Sequence, residues 1–451
     1  MWTSQHDDFD AFYRSLSPAS EIHIENIDIN IREMRFSIKS SRVERFLTTV
    51  ERLKASYKHL GYSVVLPPIV SLDQLRIVRQ INDTVSLVEL PVGYEPRLVI
   101  MKSATGTADS LYHELQILLS LDKHPNLCGR PMGLIVYQSC PTMEPLVFGF
   151  ILQFYSGGSL ARALCPHSHF KPIGWQEKVK WAKQLAKTLC DLRLKQGIIY
   201  GDLKAENVVL SSSIPNSRDL VLIDFEQRGT ADAWTPPEII MMQRLYSVIM
   251  TCEDPVVQAK SAQLLSLALE EPIPNPVQHY QRMKGRSRNF WYRLRSLEQD
   301  AAMVFMLGKL LYCIFENVGT VTHLIVPSHP GESNPQFPRF VISPPKIQQL
   351  VTKCTRGARE YETSSPFILR VGNKLVSRGM SGVEGEPMGT PADTIRAARH
   401  YWINSLDSSE QFVMARERYR QGKATPNDLD LLAYLQRPCL KELLRALDGI
   451  K

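Results

Sequence analysis

The segment Tyr200-Gly-Asp202-Leu-Lys204-Ala-Glu-Asn207-Val-Val-Leu puts a carboxylate, an ammonium and an amide into one short loop, and a second carboxylate follows seventeen residues after Asn207, in Leu222-Ile-Asp224-Phe-Glu226. Phosphoryl transfer asks little covalent work of a protein: a carboxylate to orient the attacking hydroxyl, hard oxygen ligands for magnesium, and cations on the phosphates. For that chemistry Asp202 is the catalytic carboxylate, Asn207 and Asp224 are the metal ligands, and Lys204 is a charge beside the transferred phosphate. Asp202 and Asn207 are also good turn formers for backbone reasons. Asp224 weighs against that plainer reading, because it ends an apolar strand, where an unpaired charge is costly.

Two further charges lie upstream. Leu98-Val-Ile-Met-Lys102 is an apolar run ending on a lysine, and Glu114 follows twelve residues later in Leu111-Tyr-His-Glu-Leu-Gln-Ile-Leu. Alone, such a pair reads as a structural ion pair. Beside the other motifs it is expected to sit beneath a sheet as part of the site.

The elements that must position these residues change character along the chain. Residues 41–60 carry apolar side chains at helical spacing. Short β-rich runs are expected at 62–66, 75–78, 85–90 and 97–101, then a helix at 110–121 and a strand at 146–154. After Gly157-Gly158 the periodicity turns helical, at 175–195, 261–270, 301–316 and 346–354. Residues 327–345 are Pro- and Gly-rich loop. From Pro391 onward the chain is again helical, with a break at Ala424-Thr-Pro-Asn. A β-rich part joined to a larger helical part is an α+β, two-lobed architecture.

Composition supports a folded chain: of 451 residues, 44% are hydrophobic and 22% charged, and the net charge of +7 is too modest to argue for nucleic acid. The eight cysteines form no C-x-x-C pair, so a reduced, intracellular setting is expected, cytoplasmic or nuclear. The first thirty residues lack the pattern of a secretory signal, and the longest apolar stretch, 301–315, is interrupted by Lys309. No membrane span is expected.

In this order the motifs resemble those of protein kinases. The Tyr200–Asn207 loop resembles H-R-D-x-K-x-x-N, and Asp224-Phe-Glu226 resembles D-F-G. Lys102 is similar to the lysine that binds the non-transferred phosphates, and Glu114 to its partner. His124-Pro-Asn-Leu is similar to the turn after that helix. Gln153-Phe-Tyr-Ser-Gly-Gly-Ser-Leu160 is similar to the hinge, with Leu152 at the gatekeeper position and Tyr155 offering backbone groups to adenine. Trp234-Thr-Pro-Pro-Glu238 is similar to the end of the activation segment. The likeness covers about residues 73–362 and implies a bilobal protein kinase-like fold: an N-terminal helical extension over 1–72, a small lobe over 73–157, and a large lobe over 158–362 with an insertion at about 241–299. A mainly helical extension over 363–451 would follow. It implies ATP and Mg2+ as cofactors, with Asp202, Lys204, Lys102 and Glu114 catalytic. Lys102, Gln153, Tyr155, Asn207 and Asp224 would bind the nucleotide, Asn207 and Asp224 through the metal. The implied partner is a protein with a serine or threonine hydroxyl, and nucleic acid is not expected. For Glu238 it implies a buried arginine, with Arg356 or Arg359 as candidates.

The departures from the pattern bear on activity. Residues 80–88, where the covering loop is usually glycine-rich, contain no glycine, and Ile100 replaces the small residue that packs on adenine. Tyr200-Gly201 replaces His-Arg, and only Gln227 and Arg228 separate Glu226 from Gly229-Thr230. Met303 stands where an acidic residue is expected, leaving Asp300 as a displaced candidate. Three readings stay open: an active serine/threonine-type kinase, a pseudokinase scaffold acting through protein contacts, and a small-molecule phosphotransferase of the aminoglycoside or choline kinase type, which Gly-Asp and Asp-Phe-Glu also resemble.

Overall fold

The computed structural model of the chain describes residues 21–25, 35–39, 46–59, 65–104, 108–138, 142–165, 173–214, 218–226, 234–270, 275–282, 290–321, 337–358, 368–371, 374–377 and 390–450. They form a mixed α/β protein that divides into two compact units, residues 1–123 with 128–154, and residues 124–127 with 155–451.

Unit 1 opens with an antiparallel hairpin, β1 (Glu21–Glu25) and β2 (Arg35–Lys39). The N-terminal region, expected to be helical, therefore also contains strands. Its helix, α1 (Val50–His59), is shorter than the expected 41–60. Then come β3 (Ile69–Ser71), β4 (Arg76–Asn82), β5 (Val85–Glu89), β6 (Leu98–Ser103), α2 (Asp109–Ser120), β7 (Gly133–Tyr137) and β8 (Leu146–Gln153). These strands make a six-stranded sheet in the order β3-β7-β8-β6-β5-β4, antiparallel except for the parallel β3–β7 pair. Residues 65–66, the described end of the run expected as a strand at 62–66, are not in a strand, and Val65 is exposed. Pro67-Pro68 lack backbone donors, so the ladder begins after them, at Ile69. β7 was not expected, because its five residues are an apolar run too short to show a period.

Val70, Val88, Val99, Met101, Ile135, Phe148 and Ile151 form the sheet's core. By the two-residue period of a strand, Val99 and Met101 face that core, while Ile100 and Lys102 face the opposite side. A hydrogen-bonded chain ties α1 to α2: Tyr57 donates its hydroxyl to the Tyr112 carbonyl at 2.6 Å, and Tyr112 donates to the Val147 carbonyl at 2.8 Å. The Thr48 amide donates to the Tyr112 hydroxyl, and the Val147 amide to the Thr48 carbonyl.

Unit 2 is mostly helical. After α3 (Leu160–Ala163) comes α4 (Trp175–Lys195), whose buried Lys178, Trp181, Leu185, Leu189 and Leu192 recur at helical spacing. The short antiparallel pair β9 (Val208–Leu210) and β10 (Leu220–Leu222) follows. α5 (Pro237–Thr251), α6 (Pro255–Leu269) and α7 (Pro276–Arg282) occupy much of the stretch expected as an insertion. α8 (Ser296–Glu316) is buried at every position from Ala301 to Glu316. A helix apolar on all sides is a central one, and it stops at Asn317, which takes the left-handed conformation suited to a cap. α9 (Pro345–Cys354) packs on it.

The last part holds the hairpin β11 (Ile368–Val371) and β12 (Lys374–Ser377), then α10 (Pro391–Arg420), α11 (Pro426–Leu431) and α12 (Leu440–Asp448). Thr390 and Thr425 each cap a helix through the residue three positions on, Asp393 and Asp428, with Pro at the first helical position. The break expected at 424–427 is this second cap. Among the described residues no helix is long and apolar enough to cross a membrane.

Leu53 and Tyr57 of α1 are almost fully buried. Leu53→Ala is expected to cost about 2–5 kcal/mol of stability and to speed hydrogen exchange in α2, the helix α1 is bonded to; exchange mass spectrometry reads both.

Candidate active site

In unit 1 the Lys102 ammonium lies 2.5 Å from the Glu114 carboxylate, with both side chains buried. β6 delivers the lysine and the second turn of α2 delivers the glutamate. Close approach of β8 is part of the placement: a Cβ on Gly149 would lie 2.3 Å from the Lys102 carbonyl oxygen, so only glycine fits there. Gln153 ends β8 opposite Val99 and is exposed, while Leu152 pairs with Ile100. The β4–β5 hairpin turns on Asp83-Thr84 alone, and the Thr84 carbonyl accepts from the Ser103 amide at 2.8 Å. The glycine-free covering segment is thus a tight turn bonded to β6.

In unit 2 Asp202, Lys204 and Asn207 converge. The Lys204 ammonium donates to both Asp202 carboxylate oxygens, at 3.1 and 3.0 Å. The Asn207 amide nitrogen donates to the Asp202 carbonyl and to its carboxylate, both at 2.9 Å. With its nitrogen so used, Asn207 keeps its side-chain oxygen as an acceptor. The Ile223 amide donates to the Asn207 carbonyl at 3.0 Å, continuing the β9–β10 ladder and setting Asp224 beside the loop. Asp224 has φ of 63°, a left-handed conformation that a non-glycine residue holds at a cost. Burial pushes the Asp202 carboxyl up to about 6; Lys204 and Asn207 pull it down and Asp224 adds to the rise. The donor set that Asn207 and Asp224 offer, an amide oxygen and a carboxylate, is the hard-oxygen kind that suits magnesium. Tyr155 is half-buried in the same unit.

Two braces hold this loop. Tyr200, fully buried, donates its hydroxyl to the carbonyls of Ile223 and Asp224, and its ring meets Phe225 edge-on at 5.2 Å. The second is the turn His124-Pro-Asn126. Asn126 donates its side-chain amide to the Leu220 carbonyl at 2.8 Å and accepts from the Leu222 amide at 2.9 Å, fixing the strand that leads to Asp224. Burial lowers the His124 pKa, so the neutral ring accepts the Asn126 amide on Nδ1 and donates from Nε2 to Asp191, 3.3 Å away.

Glu238 has a buried arginine partner, and among the described residues it is Arg437, not Arg356. Arg437 grips it through two nitrogens, at 2.7 and 3.1 Å, and donates from Nε to the Arg356 carbonyl at 3.0 Å. Arg359 lies outside the described residues. Arg416 likewise binds Glu298, which also accepts from the Tyr434 hydroxyl at 3.0 Å. The region after residue 363, expected as an extension, is therefore built into unit 2. Sequence reading missed Arg437 because its partner is 199 residues away; the only local signal was an Arg-Pro step before an amphipathic helix. Asp300, the displaced acidic candidate, binds Arg193 at the end of α4. Gln227, Arg228, Gly229 and Thr230 lie outside the described residues.

The chain matches no protein-family description. It is 31% identical over 109 residues to a probable serine/threonine-protein kinase, roco9, of Dictyostelium discoideum, covering 22% of this chain and 3% of that protein. Over 105 residues it is 28% identical to U-box domain-containing protein 33 of Arabidopsis thaliana, covering 23% of this chain and 11% of that one. The chain thus spans a small part of the length of either relative, and the likeness to a kinase is weak and partial.

Two outcomes follow from the geometry. Removing one partner of the buried Glu238–Arg437 pair, as in Arg437→Met, is expected to cost about 3–5 kcal/mol, and Glu238→Leu with Arg437→Met less than either single change, measured by denaturant unfolding. Because the folded pKa of Asp202 is raised, its contribution to stability is complete below about pH 4 and is lost as the pH rises through about 6. Asp202→Asn is therefore expected to melt higher than the parent at pH 7.5, by on the order of 2–3 kcal/mol, with the gap closing toward pH 4.

Proposed function

We propose that this chain is a bilobal, protein kinase-like enzyme that transfers a phosphoryl group from ATP to a serine or threonine hydroxyl of a protein. The observation that carries the reading is the cluster in unit 2: a buried carboxylate with a raised pKa, faced by an ammonium and an amide, beside a second carboxylate held on a left-handed backbone. Asp202 orients the hydroxyl and accepts its proton, which a carboxylate with a pKa near 6 does well at neutral pH. Lys204 would sit where charge gathers on the transferred group, and Lys102, held by Glu114, would serve the phosphates that stay behind. Asn207 and Asp224 would hold magnesium, which when bound neutralises charge on the phosphate oxygens. Gln153 and Tyr155 lie on the segment that would offer backbone groups to adenine.

One observation favours a second reading, a scaffold that binds nucleotide weakly or not at all. The β4–β5 turn has no glycine, and its Thr84 carbonyl is already bonded to β6, so its amides are less free to approach phosphates.

A titration of melting temperature with ATP and magnesium separates the two, since a ligand that binds only the folded state raises its stability. On the enzyme reading the midpoint rises, Asp224→Asn abolishes the magnesium-dependent part, and transfer to a protein substrate falls at least about a thousand-fold in Asp202→Asn. It also falls as the pH drops through about 6. Full activity in purified Asp224→Asn would overturn the mechanism; no shift in the parent would leave the scaffold.

A further inference from the structure

Gly201 precedes Asp202, and its backbone lies against an indole. A Cβ added at Gly201 would stand 3.1, 3.2 and 3.3 Å from three ring carbons of Trp291, inside the roughly 3.5–4.0 Å at which carbons pack. Gly201 is not among the glycines of positive φ. Room for the ring, not backbone freedom, is what calls for glycine here. Trp291 is 2% exposed and belongs to the short 3-10 turn Phe290–Arg293, between α7 and α8.

That turn is anchored from several sides. The Trp291 carbonyl accepts from the Gln299 side chain at 3.0 Å, and the Gln299 oxygen accepts from Arg193 at 3.2 Å. Arg193, near the end of α4, also bonds Asp300 and the Ser296 hydroxyl. Phe290, fully buried, meets Tyr246 of α5 edge-on at 6.0 Å. The turn that carries the ring is thus fixed by α4, α5 and the first turn of α8.

We propose that Trp291 is the positioning residue for Asp202: held through Gln299 and Arg193, its indole fixes the Gly201 backbone and so the direction of the carboxylate that follows. The inference deepens the proposed function and rests on it for the role of Asp202. Trp291 touches no reacting atom. It acts through the loop, so that the order of the loop is built in by the fold.

The test is a double-mutant cycle of Gly201→Ala and Trp291→Leu, read as phosphoryl transfer and as hydrogen exchange over residues 199–207. Each single change is expected to lower kcat about ten-fold or more with KM for ATP nearly unchanged, because Asp202 does not hold the nucleotide. In the Trp291→Leu background, which makes room for the methyl group, Gly201→Ala is expected to cost no more than about two-fold further. Additive losses, or a loss in KM alone, would overturn the proposal. Should Trp291→Leu not fold, Gln299→Met, which releases the Trp291 carbonyl at similar volume, is expected to lower kcat and speed exchange at 199–204; no change in either overturns it. If the parent transfers no phosphate, the enzyme reading fails by itself. Exchange then decides the contact: coupled effects of the two changes on residues 199–207 uphold it, and independent effects sink it.

Discussion

Burial hinders ionisation of Asp202 in unit 2, the neighbouring Asp224 adds to it, and the features around the two carboxylates answer that cost. Like charges in a partly dehydrated site stay ionised only where cations or donors face them. Lys204 and Asn207 supply these to Asp202. Asp224 is held by its backbone, in a conformation that costs about 1–3 kcal/mol and persists only where the surroundings over-determine it. The Tyr200 hydroxyl on the carbonyls of Ile223 and Asp224, and Phe225 packed on the Tyr200 ring, are such surroundings.

Further out, the same unit relies on buried charge pairs. Glu177 of α4 meets Arg218, Glu298 of α8 meets Arg416, and Glu238 of α5 meets Arg437. Burying ions costs desolvation, so such pairs add little net stability, yet leaving one member unpaired is expensive. Their effect is directional. The arginines arrive from well down the chain, 118 residues on for Arg416 and 199 for Arg437. Arg416 of α10 and Arg437 meet the carboxylates of α8 and α5, which sets the C-terminal part in register with those helices.

This arrangement explains what was legible in the sequence. Where a long period or a cap decides an element, the reading and the structure largely agree: α4 spans the expected 175–195, α2 starts one residue early, α8 starts five residues early but ends where expected, and the second cap falls within Ala424-Thr-Pro-Asn. In unit 1 Lys102 and Glu114 form the expected pair, and in unit 2 Asp202, Lys204 and Asn207 gather, because each set lies within a short stretch of chain. What was not legible depends on distant partners. Arg437 on Glu238 and Trp291 on Gly201 leave no periodic trace, and β3 and β7, the parallel pair of the six-stranded sheet, are too short to show alternation.

The departures from the kinase pattern then fall into two kinds with different physical consequences. On the proposed reading, the glycine-free turn and Ile100 would bear on how nucleotide is held, which is ground-state binding. Gly201 would bear on the orientation of Asp202, where on that reading interactions are felt in the transition state. At Gly201 the structure puts an indole, on a turn anchored by three helices, where the kinase pattern has a side chain. At the β4–β5 turn it puts a carbonyl bonded to a neighbouring strand, which stiffens the turn without adding a donor. Preorganised electrostatics carry most of the rate in phosphoryl transfer, and covering amides mainly carry affinity. On the proposed kinase reading, such a chain would be limited by how it binds nucleotide and not by the order of the Asp202 loop.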